Sequence, residues 1–444
     1  MEQRTYGILA SIKNGNDVSV SQQIILVINL SIPAILSQIA MVVMEYIDAS
    51  MVGRLGANQS ASIGLVASST WLLGSICMAV TTGFSVQVAQ KIGAKKDEEA
   101  RNVLRNGIVV TLLVAILLSL AGALISGYLP SILGGDASIR KESSSYFLIY
   151  ACSLPAVGMN SLAGGVLQSS GNMRIPSILN ILMCLLDVVF NIIFIFSGFT
   201  VSILHHAIRI KGFGLGVSGA AIGTALAELV TGIIMLYFLF CKSAIFKSRK
   251  TKNQELAITY INTAYTKASM KISLPIVFEN IVVCGAMIAS IRIVAPLGVI
   301  ALSAHSFAIT VESLCYMPGY GIAGAATTLI GQCVGAKRPE LTKRFAKVTL
   351  LLGMGVMTFT GIVMYMMAPT MMSLLTANAQ VQQLGTEVLR IEAFAEPLYV
   401  ADQNSTFLCS GIADRITGCL DCNVFGAMCQ RICSHDTLAS RQVD

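Results

Sequence analysis

Charge is scarce in this chain. Of its 444 residues only 12% are Asp, Glu, Lys or Arg, against roughly 25% in soluble domains. That shortage excludes most soluble enzymes, and the high apolar content excludes a disordered chain. Histidine numbers only four, and no metal-ligating His cluster, nucleotide-binding loop or nucleophile constellation supports an enzyme. The basic excess is small, 30 Lys and Arg against 23 Asp and Glu. Its members fall in short gaps between apolar runs, which argues against a nucleic-acid partner. Twelve cysteines do not form a disulfide framework, because most lie inside apolar segments where Cys acts as a small hydrophobe. Cys419, Cys422, Cys429 and Cys433 have a metal-like look but lie where a membrane helix is expected, so no metal or cofactor is expected.

Apolar sequence fills the space. The chain is 55% hydrophobic with a mean hydropathy of +0.73. Residues 106–135, 143–173 and 348–386 contain no charged residue, 175–208 is interrupted only by Asp187, and 212–241 only by Glu228. A membrane helix needs about 20 apolar residues. Ten spans are predicted, at 24–48, 63–88, 106–129, 146–168, 176–198, 217–241, 273–295, 305–330, 348–370 and 388–411. The first is too long for a signal-peptide core. Lys and Arg concentrate in alternate gaps: Lys91 to Arg105, Arg174, Lys242 to Lys271, and Lys337 to Lys347. The positive-inside rule places those gaps and the N-terminus in the cytoplasm, in a multi-pass protein of the cell membrane.

The sequence also repeats at an offset of 242 residues. Ser31 and Pro33 recur as Ser273 and Pro275, and Leu55-Gly56 as Leu297-Gly298. Gln90, Gly93, Ala94 and Lys95 recur as Gln332, Gly335, Ala336 and Lys337, and Ile149, Ala151 and Pro155 as Ile391, Ala393 and Pro397. A six-span unit returns the chain to its starting side, so the repeat is parallel, with the substrate site expected between its halves. The expected organisation is an all-α integral membrane protein. A tail (1–20) precedes the first six-helix repeat (21–241), a basic linker (242–268), a second repeat with four convincing helices (269–415) and a tail at 416–444 where two helices are missing or degraded.

These residues resemble the MATE (multidrug and toxic compound extrusion) family. Pro33 followed by Ile47-Asp48-Ala49-Ser50-Met51-Val52-Gly53-Arg54-Leu55-Gly56 resembles the family's "VDT-x-x-x-G-x-LG". Gln90-Lys91-Ile92-Gly93-Ala94 and Gly331-Gln332-Cys333-Val334-Gly335-Ala336 resemble its paired "GQ-x-x-GA" signatures. Gln168-Ser169-Ser170-Gly171-Asn172-Met173-Arg174-Ile175-Pro176 is similar to its "L-Q-G-x-G-D-x-x-x-P" linker. One departure concerns chemistry: the family's "N-x-x-x-D" pair appears here reversed, as Asp187 and Asn191. The resemblance implies an antiporter that exports organic cations in exchange for H⁺ or Na⁺, working as a monomer in the lipid bilayer. Rival readings are a flippase for lipid-linked precursors, which would call for a cationic cavity, and a multi-pass receptor or enzyme.

Intramembrane acids carry the candidate chemistry. Each costs at least ~2.5–3.5 kcal/mol on insertion scales, so it is expected to face a cavity and to be used. Glu45, Asp48, Asp187, Glu228, Glu279, Glu312, Glu392, Glu396 and Asp402 fall in predicted spans with almost no intramembrane Lys or Arg. An acidic cavity attracts cations. Asp48 fits the span-one aspartate of the family by its spacing from Pro33. Asp187 and Asn191, four apart, share a helical face; a coupling Na⁺ would sit there, or the pair would serve as packing glue. Glu279, Glu312, Glu396 and Asp402 are further cation or substrate candidates. Thr224, in a small-residue run, is read as close packing or an ion contact. The repeat-paired Pro33, Pro155, Pro275 and Pro397 are candidate bending points.

Overall fold

The computed structural model describes residues 2–14, 16, 18–53, 55–203, 206–243, 262–294, 299–376 and 378–393. Helices dominate: α1 (Glu2–Asn14), α2 (Val20–Gly53), α3 (Ala57–Gly93), α4 (Asp97–Ser126), the short α5 (Leu129–Ile132), α6 (Ala137–Ser169) and α7 (Arg174–Ile195). Beyond a hairpin of β1 (Gly198–Ile203) and β2 (His206–Lys211) come α8 (Val217–Tyr237), α9 (Thr263–Val294), α10 (Val299–Gly335) and α11 (Pro339–Leu375). Residues 379–393 form one more helix. Eight of the described helices are long and apolar enough to cross a membrane. Nine of the ten predicted spans fall on α2 to α4 and α6 to α11. The tenth begins in the 379–393 helix, and its remainder, with Glu396, Pro397, Asp402 and the 416–444 tail, lies outside the described residues.

Two segments differ from the sequence reading. The N-terminal tail contains α1, because Ile8, Leu9 and Ile12 recur at helical spacing and give it an apolar stripe. All three are buried, and α1 packs on α10. The gap after α7 contains the antiparallel hairpin, with Gly198 opposite Lys211 and Ile203 opposite His206. Alternating Val201, Ile203, Ile208 and Ile210 favour strands there. After the hairpin the chain folds back onto the end of α7. The backbone N–H groups of Phe213 and Leu215 donate to the carbonyls of Ile193 and Phe194, each at 2.9 Å. Those carbonyls would otherwise lack partners at a helix end.

The repeat is visible at atomic scale in the turns that follow the Gln-x-x-Gly-Ala motifs. After α3, Ala94 N–H donates to Gln90 O, Lys95 to Ile92 O and Lys96 to Lys91 O. After α10, Ala336 donates to Gln332 O, Lys337 to Val334 O and Arg338 to Cys333 O. The six residues correspond pairwise at the 242-residue offset. Lys95 and Lys337 both adopt left-handed backbone, with φ of 60° and 56°, the conformation that ends many helices. The motif is thus a helix-ending turn. At the α6 start, Asp136 accepts from the Ser138 backbone N–H at 2.8 Å and from its hydroxyl at 2.7 Å. Those bonds, with Arg140 nearby, hold the Asp136 carboxyl below its ordinary range.

The chain forms two compact units, one of residues 40–280, the other of 1–39 with 281 onward. The cuts fall inside α2 and α9, so the first half of each of these helices belongs with the unit of the other repeat. In the 40–280 unit, Val80, Phe84, Val88, Ile92, Val103, Leu104, Leu162 and Val166 build a core between α3, α4 and α6. The first half of α9 docks on α3 there. Gln87 Nε2 donates to Ser269 Oγ at 2.6 Å and to Tyr265 O at 3.0 Å, and Asn106 Nδ2 on α4 donates to Thr266 Oγ1 at 2.9 Å. Gly83 makes the approach possible: a Cβ there would lie 2.7 Å from Ser269 O and would overlap Ser273 Oγ. In the other unit, Ala308, Val311, Cys315, Met364, Ala368, Met372 and Leu389 join α10, α11 and the 379–393 helix. Gly321 lets α10 approach α2 closely, since a Cβ would meet Ile35 N at 2.6 Å. Pro33, Pro155 and Pro275 lie inside α2, α6 and α9, and Pro318 and Pro369 inside α10 and α11. Leu113, Ile116, Leu117, Leu120 and Leu124 of α4 are exposed, as a lipid-facing helix requires.

Candidate functional site

The 40–280 unit gathers four of the sequence candidates. α2 supplies Asp48, α7 supplies Asp187 and Asn191, and α8 supplies Thr224. The Asn191 Nδ2 group donates to Asp48 Oδ1 at 2.8 Å and to Asp187 Oδ2 at 3.0 Å. The two carboxyl groups are within hydrogen-bonding reach of each other, and the Thr224 hydroxyl is within reach of Asp187. Asp187 and Asn191 are 0% exposed. Asp187 Oδ1 and Asn191 Oδ1 are both buried and accept no hydrogen bond. Buried polar atoms ordinarily find partners. These two acceptors and the Asp48 carboxyl group make an oxygen-rich site, and hard oxygen ligands suit H⁺ or a small hard metal ion.

Close packing of α8 on α7 explains how Thr224 joins Asp187 and Asn191. Gly219 and Gly223 lie one turn apart on α8 and face α7. A Cβ at Gly219 would lie 2.5 Å from Phe194 O, and one at Gly223 would overlap Asn191 Oδ1. The small-residue run read as close packing does pack closely, as in other membrane helix pairs. It also brings Thr224 to Asp187 while its hydroxyl donates to Ala220 O at 3.2 Å.

One turn from the polar cluster lies an apolar plug. Val52 is four residues after Asp48, Ile195 four after Asn191, and Ala220 four before Thr224, so each stacks on its own site residue. The three pack together and are 3%, 1% and 5% exposed, flanked by Met51, Leu55, Ile63, Tyr146 and Phe196. These residues form an apolar layer beside the cluster, on the side of the C-terminal end of α2.

Other residues take other places. Glu279 is half-buried on α9, next to Asn280, whose Nδ2 lies 3.4 Å from Ser75 O. Glu312 is half-buried on α10 in the other unit. Sequence reasoning missed Asn160 and Tyr146. Tyr146 on α6 lies within electrostatic reach of Asp48, Asp187 and Glu45. Asn160 on α6 donates to Glu228 Oε2 at 2.7 Å. A polar residue inside the charge-free run 143–173 was the available signal. Among the described residues, no group of three or more His, Cys, Asp or Glu is arranged to hold a metal ion.

Comparison with known proteins agrees with this architecture. The MatE family profile matches residues 33–193 and again 275–425, two matches that begin at the repeat-paired Pro33 and Pro275. Among curated relatives, the probable multidrug resistance protein NorM of Thermotoga maritima is 22% identical over 365 residues, covering 82% of this chain and 75% of that protein. The protein of the same name from Burkholderia pseudomallei is 26% identical over 373 residues, covering 82% and 75%. A crystal structure of MATE in the straight conformation superposes with a TM-score of 0.78 at 20% identity, covering 90% of this chain and 84% of that one. An Asp-to-Asn mutant of the Vibrio cholerae MATE transporter VcmN gives 0.78 at 18% identity, covering 92% and 86%.

Proposed function

The chain belongs to the MatE family, and on that premise we propose that it is a secondary active antiporter, exporting organic cations in exchange for H⁺ or Na⁺ by alternating access. The Asn191 amide bridging Asp48 and Asp187 carries this reading, with orphaned Oδ1 atoms on Asp187 and Asn191 beside it. The reversed order of the acid and the amide on α7 costs the site nothing. Positions 187 and 191 share a helical face, so either order gives α2 one amide and one carboxyl group to meet.

Two carboxylates in a low-dielectric setting attract a cation strongly. A monovalent coupling ion held by Asp48, Asp187 and Asn191 would cancel one of the two charges, and its release would restore the attraction for an organic cation. Exchange follows from competition for one negative charge. The plug of Val52, Ile195 and Ala220 would keep the ion from leaving toward the C-terminal end of α2 until the helices rearrange. In the proposed orientation that end is extracellular, the N-terminus is cytoplasmic and the protein resides in the cell membrane as a monomer. The flippase reading calls for a cationic site, whereas this cluster is acidic.

The test is efflux of a fluorescent organic cation from proteoliposomes, with H⁺ and Na⁺ gradients imposed separately. Efflux driven by one gradient and abolished by its dissipation is expected. Efflux indifferent to both would refute antiport.

A further inference from the structure

A second polar cluster lies on the α6–α8 face of the 40–280 unit. Glu228 of α8 is half-buried, and its Oε2 accepts from Asn160 Nδ2 at 2.7 Å. Asn160 is only 7% exposed. Its Oδ1 shares one planar amide with that Nδ2, so it is held at the Glu228 end of the side chain, yet it is buried and accepts nothing. Thr231 follows Glu228 by three residues and shares its helical face. It is 0% exposed, and its hydroxyl makes no hydrogen bond. Elsewhere in this helix Thr224 uses the ordinary solution, donating to the carbonyl four residues back. Gly232 packs over Asn160, with room for a Cβ in ordinary contact 3.4 Å from Asn160 Cβ.

The amide defines what is missing. An ionised carboxylate accepts from Nδ2–H and offers nothing in return, which leaves Oδ1 an orphan. A protonated carboxyl has an O–H to donate. Acid and amide then close a ring of two hydrogen bonds, Nδ2–H to Oε2 and Oε1–H to Oδ1, and the orphan is satisfied. We propose that Glu228 and Asn160 form a second proton-binding site, separate from the cluster of Asp48, Asp187 and Asn191. The step is transfer of one proton from hydronium to the Glu228 carboxylate: the hydronium O–H bond breaks, a carboxyl O–H bond forms, and water leaves. The groups that neighbouring helices turn toward Glu228 are Tyr150 on α6 and Cys184 and Asp187 on α7. The Met183 sulfur lies 3.9 Å from Asn160 Nδ2. A thioether suits soft metals, so the surroundings favour a proton over Na⁺. On the antiport reading, this unit then carries two exchangeable charges per cycle, and that consequence rests on the reading while the site does not.

Infrared difference spectroscopy of the full chain in liposomes, acidic minus alkaline pH, reads the site whether or not the protein transports. The wild type is expected to show protonated-carboxyl bands from both clusters. Glu228→Gln should lose one of them and keep the Asp48–Asp187 bands, which also report a folded unit. Asn160→Leu should shift the same band, because the carboxyl loses its amide partner. Replacing choline by Na⁺ at constant pH should leave it unchanged. An unaltered spectrum in Glu228→Gln would overturn the proposal, and bleaching of the Glu228 band by Na⁺ would overturn the proton as occupant. Should Glu228→Gln fail to fold, the Asp48→Asn/Asp187→Asn double variant decides. A remaining band that Asn160→Leu shifts supports the site, and absence of any band refutes it.

Discussion

Gly223→Ala tests the geometry of the site with a single methyl group. Gly223 faces Asn191, whose backbone N and Cγ would each lie 3.1 Å from an added Cβ, with Oδ1 closer still. The helix backbone cannot yield by that much, so the Asn191 amide must rotate away. Rotation breaks its bonds to Asp48 (2.8 Å) and Asp187 (3.0 Å). Hydrogen bonds to charged groups contribute ~1.5–3 kcal/mol each, so the loss is ~3–6 kcal/mol. Alanine returns ~1 kcal/mol of helix propensity, and the net cost is about 2–5 kcal/mol. Gly164→Ala is the control. Its Cβ would meet only Met235 Cε at 3.7 Å, an ordinary contact, so propensity should leave stability equal or slightly higher. Thermal unfolding in detergent and efflux from liposomes are measured on both variants beside the wild type. Gly223→Ala should unfold at markedly lower temperature and lose ion-coupled efflux. Equal stability and activity in the two variants would refute the close α7–α8 approach, and with it the bridged cluster.

Further outcomes are expected from the same structure. Asp48→Asn keeps shape and removes charge, so membrane insertion should persist while gradient-driven efflux falls by at least tenfold; undiminished efflux removes Asp48 from coupling. Ile195→Ala opens the plug and should cost ~2–5 kcal/mol, as large-to-small core changes do. Liposomes carrying it should also leak the coupling ion without substrate, seen with an entrapped pH or Na⁺ dye, and a tight vesicle would show that the plug does not seal. Gly83→Val forces α9 away from α3 and should destabilise by ~1–3 kcal/mol or more; a wild-type melting temperature would contradict that docking. In a background without native cysteines, Lys95→Cys and Lys337→Cys should resist an impermeant thiol reagent in intact cells while Lys141→Cys reacts, and the reverse pattern inverts the orientation.

Much of the fold was legible in the sequence because the membrane restricts the solutions. Where water is absent each backbone group must find its partner within a helix, so long uncharged runs such as 106–135 and 143–173 translate directly into α4 and α6. The repeat was legible for a related reason: the turns after Gln90 and Gln332 need the same backbone geometry, so they keep the same residues at a constant offset. Asp48, Asp187 and Asn191 stood out because a polar side chain in an apolar run is costly.

The sequence by itself therefore determined the helices, their repeat and the acids they carry. Only the tertiary structure decided which of those acids meet. Helical periodicity fixes the face on which Asp187 and Asn191 lie, but Asp48 reaches Asn191 across 143 residues of chain, and Gly219 and Gly223 let α8 bring Thr224 against the same face of α7. Asn160 showed in the sequence only as a polar residue in an uncharged run, and it becomes notable when folding puts Glu228 on its nitrogen and nothing on its oxygen. The first half of α9 joins the unit of the other repeat because Gly83 leaves room for Ser269 and Ser273 and Gln87 is placed to donate to Ser269 Oγ and Tyr265 O. No periodicity encodes that choice, since it is a contact between surfaces far apart in the chain.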